Sequence, residues 1–534
     1  MARILNLVAI VALLASHARG AAPNPSALGT PITILKDNDL YGKFSNRTSS
    51  AILLEQPQTF DWAKSTCSSL SEGLWSPELQ DFTLGVNNSL QYQAYIRKFS
   101  YSQQFWVADY DDGNPKTKDT CRAINLAGKV QVRDCTRLLP TLCSHSAPIS
   151  NETFWDISPK YQVAVTTGAA GHSITGFRDA FGFRFMGIRY ALQPERFEYS
   201  TLYSYPGDAT ALQYGSWCLQ VYGTAVTGTE DCLFMNIATP YLPSPEAAPA
   251  NLKPVLFYIH GGSFTSNSGD LGNTDSVNQA SRGDHVVVRF NYRLGHFGFL
   301  ALNGTSLTGN YAISDMLTAF NWVRGHIADF GGDVNRITIG GDSAGAAAVR
   351  VLLTSEMFKG MFIGAIQESI PIGFSPNGLF SEYMTIPENT ALFGPAVLAQ
   401  TGCNTTADVA KCLKEVDAMV LNNAVVPSIG RLSFPVIDNV FLKTRTLPVT
   451  GKGYAANVPL LAGTNRDEFA ITLAPYYGVS PVLTALTLVS QMLGRDLTPF
   501  ANNSAFPTPP GSPALSTFNQ TTRVLTDGMF KCLQ

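Results

Sequence analysis

Arg336-Ile-Thr-Ile-Gly-Gly-Asp-Ser-Ala-Gly-Ala-Ala-Ala-Val-Arg-Val-Leu-Leu353 runs an apolar strand into a Gly-x-Ser-x-Gly turn and then into a helix of small residues. That order places Ser343 on a sharp strand-to-helix turn with its hydroxyl clear of the sheet. Gly341 and Gly345 allow the tight turn and close helix–strand packing. A five-residue match alone arises by chance. The strand before it and the helix after it make this one a nucleophile elbow. Working outward, Pro254-Val-Leu-Phe-Tyr-Ile259 and His285-Val-Val-Val-Arg-Phe290 are continuous apolar runs, as expected of strands buried on both faces. Ser314 to Asp329 carries Met316, Leu317, Phe320, Val323 and Ile327 on one helical stripe. Alternating strands and helices predict an α/β fold with a mostly parallel central sheet.

Two further segments bear on chemistry. His260-Gly-Gly-Ser-Phe264 follows the first of those strands directly. Gly261 and Gly262 can turn backbone N–H groups toward a developing oxyanion, with the N–H of Ala344 completing the hole. His260 precedes Ser343 in the chain, so it is expected as a structural hydrogen-bonder, not a base. The second segment is Gly463-Thr-Asn-Arg-Asp-Glu-Phe469, after the apolar run from Val458 to Ala462. A carboxylate there could orient a histidine, and spacing leaves Asp467 and Glu468 in competition. An elbow of this kind needs its histidine last, in the order Ser, Asp/Glu, His. No histidine follows His326.

Composition narrows the class. The chain has 534 residues, a net charge of −3 and only 14% charged residues, well under the usual quarter. A nucleic-acid partner would call for a clustered basic surface, and none is present. Met1 to Gly20 reads as a secretory signal: Arg3, the short apolar core Ile4 to Ala15, then Ala18-Arg19-Gly20. The apolar run is too short to anchor in a bilayer, so no transmembrane anchor is expected. Sequons at Asn46, Asn87, Asn151, Asn303, Asn404, Asn502 and Asn519 fit a secreted, extracellular glycoprotein. The cysteines fall in local sets: 67, 121, 135 and 143; 218 and 232; 403 and 412; and Cys532 alone. In that setting Cys218–Cys232 and Cys403–Cys412 are natural short-loop disulfides, and the first four allow three connectivities. Nothing calls for a metal or a cofactor. The pattern changes near residue 150, dividing a signal (1–20), a disulfide-rich domain (21–148) and an α/β domain (149–534).

These segments together resemble the type-B carboxylesterase/lipase family, the cholinesterase-like α/β-hydrolases. The resemblance begins at Phe185-Met-Gly-Ile-Arg-Tyr-Ala191. It continues through Thr229-Glu-Asp-Cys-Leu-Phe-Met-Asn236, Asn291-Tyr-Arg-Leu-Gly-His-Phe-Gly-Phe-Leu300, Gly309-Asn-Tyr-Ala-Ile-Ser-Asp315 and Phe330-Gly-Gly-Asp333. It implies an α/β-hydrolase fold acting on a small-molecule or lipid ester. It also implies Ser343 as nucleophile, Glu468 rather than Asp467 as the acid, and Gly261, Gly262 and Ala344 as oxyanion donors. Both short-loop disulfides match the family's. The pattern then breaks. Family members continue past Thr526-Asp-Gly-Met-Phe-Lys-Cys532 with a last strand and the histidine. The expectation is therefore a C-terminally incomplete domain, impaired as an enzyme, with Cys532 left over.

The N-terminal region is similar to a diverged C-type lectin-like domain, a small α+β unit. Phe60-Asp-Trp-Ala-Lys-Ser-Thr-Cys67, Phe105-Trp-Val-Ala108 and the cysteines carry that likeness. It implies pairing of Cys67 with Cys143 and Cys121 with Cys135. The Trp-Asn-Asp triplet used for calcium and sugar is replaced by Val130-Gln-Val132, and Asn114-Pro115 is a partial calcium-loop match. Carbohydrate is a candidate partner of this region. The alternative to an enzyme is a secreted binding protein, a pseudo-esterase beside a lectin-like module.

Overall fold

The computed structural model describes residues 22–36, 50–109, 119–150, 154–168, 171–222, 225–245, 249–270, 276–372, 377–446 and 454–468, with 522, 523 and 526. The signal segment, Asn46, Asn114-Pro115, Asn151, Asn502, Asn519 and Cys532 lie outside the described residues.

The first layer is a seven-stranded sheet. Six of its strands are β1 (Ile32–Lys36), β2 (Ser50–Gln58), β3 (Gln104–Trp106), β4 (Thr120–Asn125), β5 (Val130–Asp134) and β6 (Leu139–Ser144). Two helices, α1 (Phe60–Ser69) and α2 (Asn87–Tyr95), pack beside them. Cys67 is bonded to Cys143, and Cys121 to Cys135. The first disulfide ties α1 to β6, and the second closes the β4–β5 hairpin. This is the pairing that the lectin-like resemblance implies. Trp75 and Trp106 are both fully buried here, which gives this sheet a large apolar payload.

The second layer is a ten-stranded sheet. It contains β7 (Gln162–Thr167), β8 (His172–Arg178), β9 (Phe183–Arg189) and β10 (Phe234–Thr239). After the short strand β11 (Tyr241–Leu242), which lies in the first sheet, it continues with β12 (Lys253–Ile259), β13 (Val286–Phe290), β14 (Gly332–Asp342), β15 (Gly364–Glu368) and β16 (Leu460–Gly463). The order across it is β8-β9-β10-β13-β12-β14-β15-β16, with Ala209–Thr210 and β7 both on β8. From β13 to β16 all pairings are parallel, and the β7–β10 side is antiparallel. The sequence reading placed β12, β13 and β14 but did not name β15, and β14 extends four residues earlier than expected. Helix α3 (Ser276–Gly283) precedes β13, α4 (Gly295–Phe299) follows it, and α5 (Tyr311–His326) lies across the sheet. Gly309 and Asn310 have φ of +78° and +57°. That left-handed pair turns the chain so that α5 starts at Tyr311, three residues before the expected Ser314. Phe257 stacks on Phe290 at 4.5 Å and meets Phe320 of α5 at 4.8 Å. The buried helix α6 (Ala344–Thr354) leaves the elbow. Cys218–Cys232 and Cys403–Cys412 are both closed.

The two layers are joined by a strand. β11 pairs with β1 in antiparallel register and so belongs to the first sheet. β10 runs antiparallel to β13, so the chain emerges into β11 at the N-terminal ends of the parallel strands. The first sheet is therefore attached at the end opposite Ser343. Buried ion pairs seal the seam. Glu72 accepts from Arg178 Nη1 at 3.3 Å, from Ser144 Oγ at 2.8 Å and from the Ser146 N–H at 2.9 Å. Lys98, paired with Glu55, and Lys253, paired with Asp284, lie over the Tyr241 ring at 4.7 and 5.7 Å. Among the described residues, no helix is long and apolar enough to cross a membrane.

Candidate active site

The C-terminal ends of the parallel strands form a row. Ile259 is in register with Gly341, Asp342 with Glu368, and Glu368 with Gly463. Chemistry-bearing segments follow each end, as expected for an open α/β sheet. Ser343 has φ +52° and ψ −119°, backbone that a serine adopts only when its surroundings impose it. Two features impose it. The Ser343 N–H donates to the Glu368 carbonyl at 2.8 Å, and its own carbonyl takes the Ala347 N–H at 3.0 Å. Gly345 is the second feature. A Cβ there would lie 2.1 Å from the Ile259 carbonyl oxygen, so only glycine lets α6 sit this close to β12. Ser343 itself is half-buried and open to a ligand.

The loop after β12 faces it. Gly262 has φ +104°, and its carbonyl accepts the N–H groups of Thr265 and Ser266 at 2.9 and 3.1 Å. Phe264 is fully buried against Tyr292, Phe299 and Phe380 and pins the loop. The Gly261 N–H donates to Asp342 Oδ1 at 3.0 Å. It is engaged there, so it is not available to an oxyanion without leaving that carboxylate. The sequence reading expects Gly261 as a donor; here its N–H is held by Asp342. The N–H groups of Gly262, Ser263 and Ala344 have no acceptor among the described residues. His260 is turned inward. Nδ1 donates to the Gly261 carbonyl at 2.8 Å, the ring stacks on Tyr292 at 4.3 Å, and burial lowers its pKa to about 4.

The acid segment also reaches the row. Glu468 accepts a hydrogen bond from Ser369 Oγ, and its Oε1 takes the Asn465 N–H at 2.5 Å. Asp467 pairs instead with the exposed Arg466. Ser369, with φ +57°, donates its N–H to the Gly463 carbonyl at 2.7 Å. It is the link that sequence reading missed: a serine placed directly after β15 was its only signal. The histidines are held elsewhere. His296 Nε2 bonds the Ala424 carbonyl at 3.1 Å, His326 Nδ1 lies 2.9 Å from Thr167 Oγ1, and His145 Nδ1 lies 3.1 Å from Ser50 Oγ. Among the described residues no group of acidic, histidine or cysteine side chains is arranged to hold a metal ion.

The comparisons with known proteins agree with this geometry. The model of the carboxylesterase family matches residues 170–498. A carboxylic ester hydrolase of Bombus ignitus is 34% identical over 272 residues, 49% of this chain and 46% of that protein. The human bile salt-activated lipase is 33% identical over 304 residues, 53% of this chain and 39% of the lipase. The para-nitrobenzyl esterase of Bacillus subtilis is 34% identical over 307 residues, 54% and 59%. The chain thus spans about half the length of the curated relatives it matches. Among solved structures, the carboxylesterase of Geobacillus stearothermophilus superposes with a TM-score of 0.56 at 29% identity, over 69% of this chain and 74% of that one. With an elbow serine, a glycine-turned loop and a late carboxylate on one α/β sheet, and a family model matched over more than half its length, the chain belongs to the carboxylesterase family.

Proposed function

We propose that the protein is a secreted carboxylic ester hydrolase acting through an acyl-serine intermediate. The observation that carries the reading is the row itself: a strained Ser343, the turned loop facing it, and Glu468 folded back onto Ser369. Ser343 Oγ attacks the ester carbonyl, and the negative charge moves to the carbonyl oxygen. The N–H groups of Gly262 and Ala344 receive it, with Ser263 in the place first given to Gly261. The Ser343 hydroxyl proton passes to the departing alkoxide oxygen as collapse breaks the ester C–O bond and expels the alcohol, and water then cleaves the acyl-serine, releasing the acid and returning a proton to Ser343 Oγ. The acid is Glu468, which would orient an imidazole. None of the described histidines makes a hydrogen bond with Glu468 or Ser343. The substrate is a small-molecule or lipid ester. Secretion is supported by the signal-like start and four disulfides, and glycosylation by exposed Asn303 and Asn404.

Loss of the base in a serine triad costs about a millionfold in turnover, with a residue left by the oxyanion hole and binding. For residues 1–534 we expect slow hydrolysis of p-nitrophenyl acetate that disappears in Ser343→Ala. Added imidazole should raise the Ser343-dependent part by standing in for the base. A rate identical in wild type and Ser343→Ala overturns the reading. Turnover above about 1 per second without imidazole points to a base not identified above. Among the described residues His145, His260, His296 and His326 are held by other partners, which favours a second reading. In it a pseudo-esterase unit (149–534) and a lectin-like unit (21–148) serve binding, with carbohydrate as the candidate ligand of the latter.

A further inference from the structure

We infer that Asp342, joined through the Tyr258 phenol to Glu368, is a positioning residue that fixes the oxyanion loop against Ser343. Its catalytic consequence rests on the ester-hydrolase reading; the structural clasp does not. Asp342 Oδ1 accepts two hydrogen bonds, from the Gly261 N–H at 3.0 Å and from the Tyr258 hydroxyl at 3.2 Å. The same hydroxyl lies 3.0 Å from Glu368 Oε2. Asp342 and Glu368 are in register on neighbouring strands, and like charges so placed repel. Tyr258 offsets this. Its single proton lies between the two carboxylates, and the Arg289 guanidinium sits 4.6 Å over its ring. Burial and the two carboxylates raise the phenol's pKa above its usual value, so it remains a donor. Gly340 leaves room beside the ring: a Cβ there would touch Leu256 Cδ1 at 3.1 Å and Tyr258 at 3.4 Å. The clasp closes on the nucleophile, because the Glu368 carbonyl accepts the Ser343 N–H at 2.8 Å. One connected set of bonds therefore fixes both the serine and the first residue of the loop. Asp342 does not touch the reacting atoms in this scheme. It decides where the N–H groups of Gly262 and Ser263 point.

The test is amide hydrogen exchange, read by mass spectrometry on residues 260–264 of the full chain. Asp342→Ala should speed exchange there by about tenfold, as expected when one hydrogen bond is lost locally. Asp342→Asn should stay within about threefold of wild type, because an amide oxygen can accept the same N–H. Tyr258→Phe should fall between them, with residues 286–290 unchanged in all three. Equal exchange in wild type and Asp342→Ala, or Asn exchanging as fast as Ala, overturns the inference. If Asp342→Ala does not fold, Tyr258→Phe decides: faster exchange confined to 260–264 supports the clasp, and no change overturns it. A parallel p-nitrophenyl acetate assay separates the two claims. Absence of Ser343-dependent hydrolysis in wild type sinks the hydrolase reading while exchange still decides the clasp. Where hydrolysis is present, kcat should fall with KM unchanged in Asp342→Ala and recover in Asp342→Asn.

Discussion

Replacing Gly345 with alanine adds one methyl group at the tightest helix–strand contact beside Ser343. The new Cβ would lie 2.1 Å from the Ile259 carbonyl oxygen and 2.9 Å from that of His260, whereas ordinary contact begins at 3.4 Å. Both obstacles are backbone, so neither can rotate away. Helix α6 must withdraw from β12 by roughly 1 Å, an overpacking that costs about 1–3 kcal/mol. Alanine returns about 1 kcal/mol of helix propensity, leaving a net loss of about 0–2 kcal/mol. The effect on chemistry should be larger. Ser343 and the Ala344 N–H ride on the start of this helix, and a 1 Å misplacement costs about a hundredfold in rate. Urea unfolding reads the first quantity, and Ser343-dependent p-nitrophenyl acetate hydrolysis the second. Gly325→Ala is the control. It lies exposed in α5 with nothing within 4 Å of its Cβ position, so it should hold or gain up to about 1 kcal/mol. A Gly345→Ala protein that unfolds at the wild-type urea midpoint and keeps full hydrolysis would refute the reasoning, because α6 would then not be seated on β12.

Two further outcomes are expected. Arg178→Met should destabilise the seam by about 3–5 kcal/mol, since Glu72 would remain buried without its cation; Glu72→Gln in the same background should recover much of the loss, and denaturant unfolding of the double-mutant cycle measures it. Burial lowers the pKa of His260 to about 4 and shifts His145, His285, His296 and His326 in the same direction. The neutral forms favour folding, so stability is complete above about pH 6.5 and falls below it as the unfolded chain takes up protons. Each such histidine adds a slope of about 1.4 kcal/mol per pH unit. His260→Gln should shallow the curve by one such slope between pH 6.5 and 4, and an unchanged slope would show that His260 is protonated in the fold.

What the sequence determined by itself was local. Continuous apolar runs located β12, β13 and β14, because a strand buried on both faces has no polar side to alternate with. Gly341-Asp342-Ser343-Ala344-Gly345 located the elbow, because only that spacing lets a helix start against a strand end. The same local logic gave the short disulfide loops. The tertiary structure decided what depends on register. Asp342 faces Glu368 because β14 and β15 lie side by side with those residues level, and Glu468 reaches Ser369 because β16 pairs with β15 and the segment after it folds back over the strand end. No spacing along the chain encodes a neighbour some hundred residues away. The same holds for Gly261. Its glycine identity suggested a free N–H, but the fold brought Asp342 to that N–H. The seam is the last case. Tyr241-Leu242 carries too few residues to show a period, yet it pairs with β1 and joins the two sheets, since an unpaired strand edge is satisfied by whichever backbone the topology carries past it.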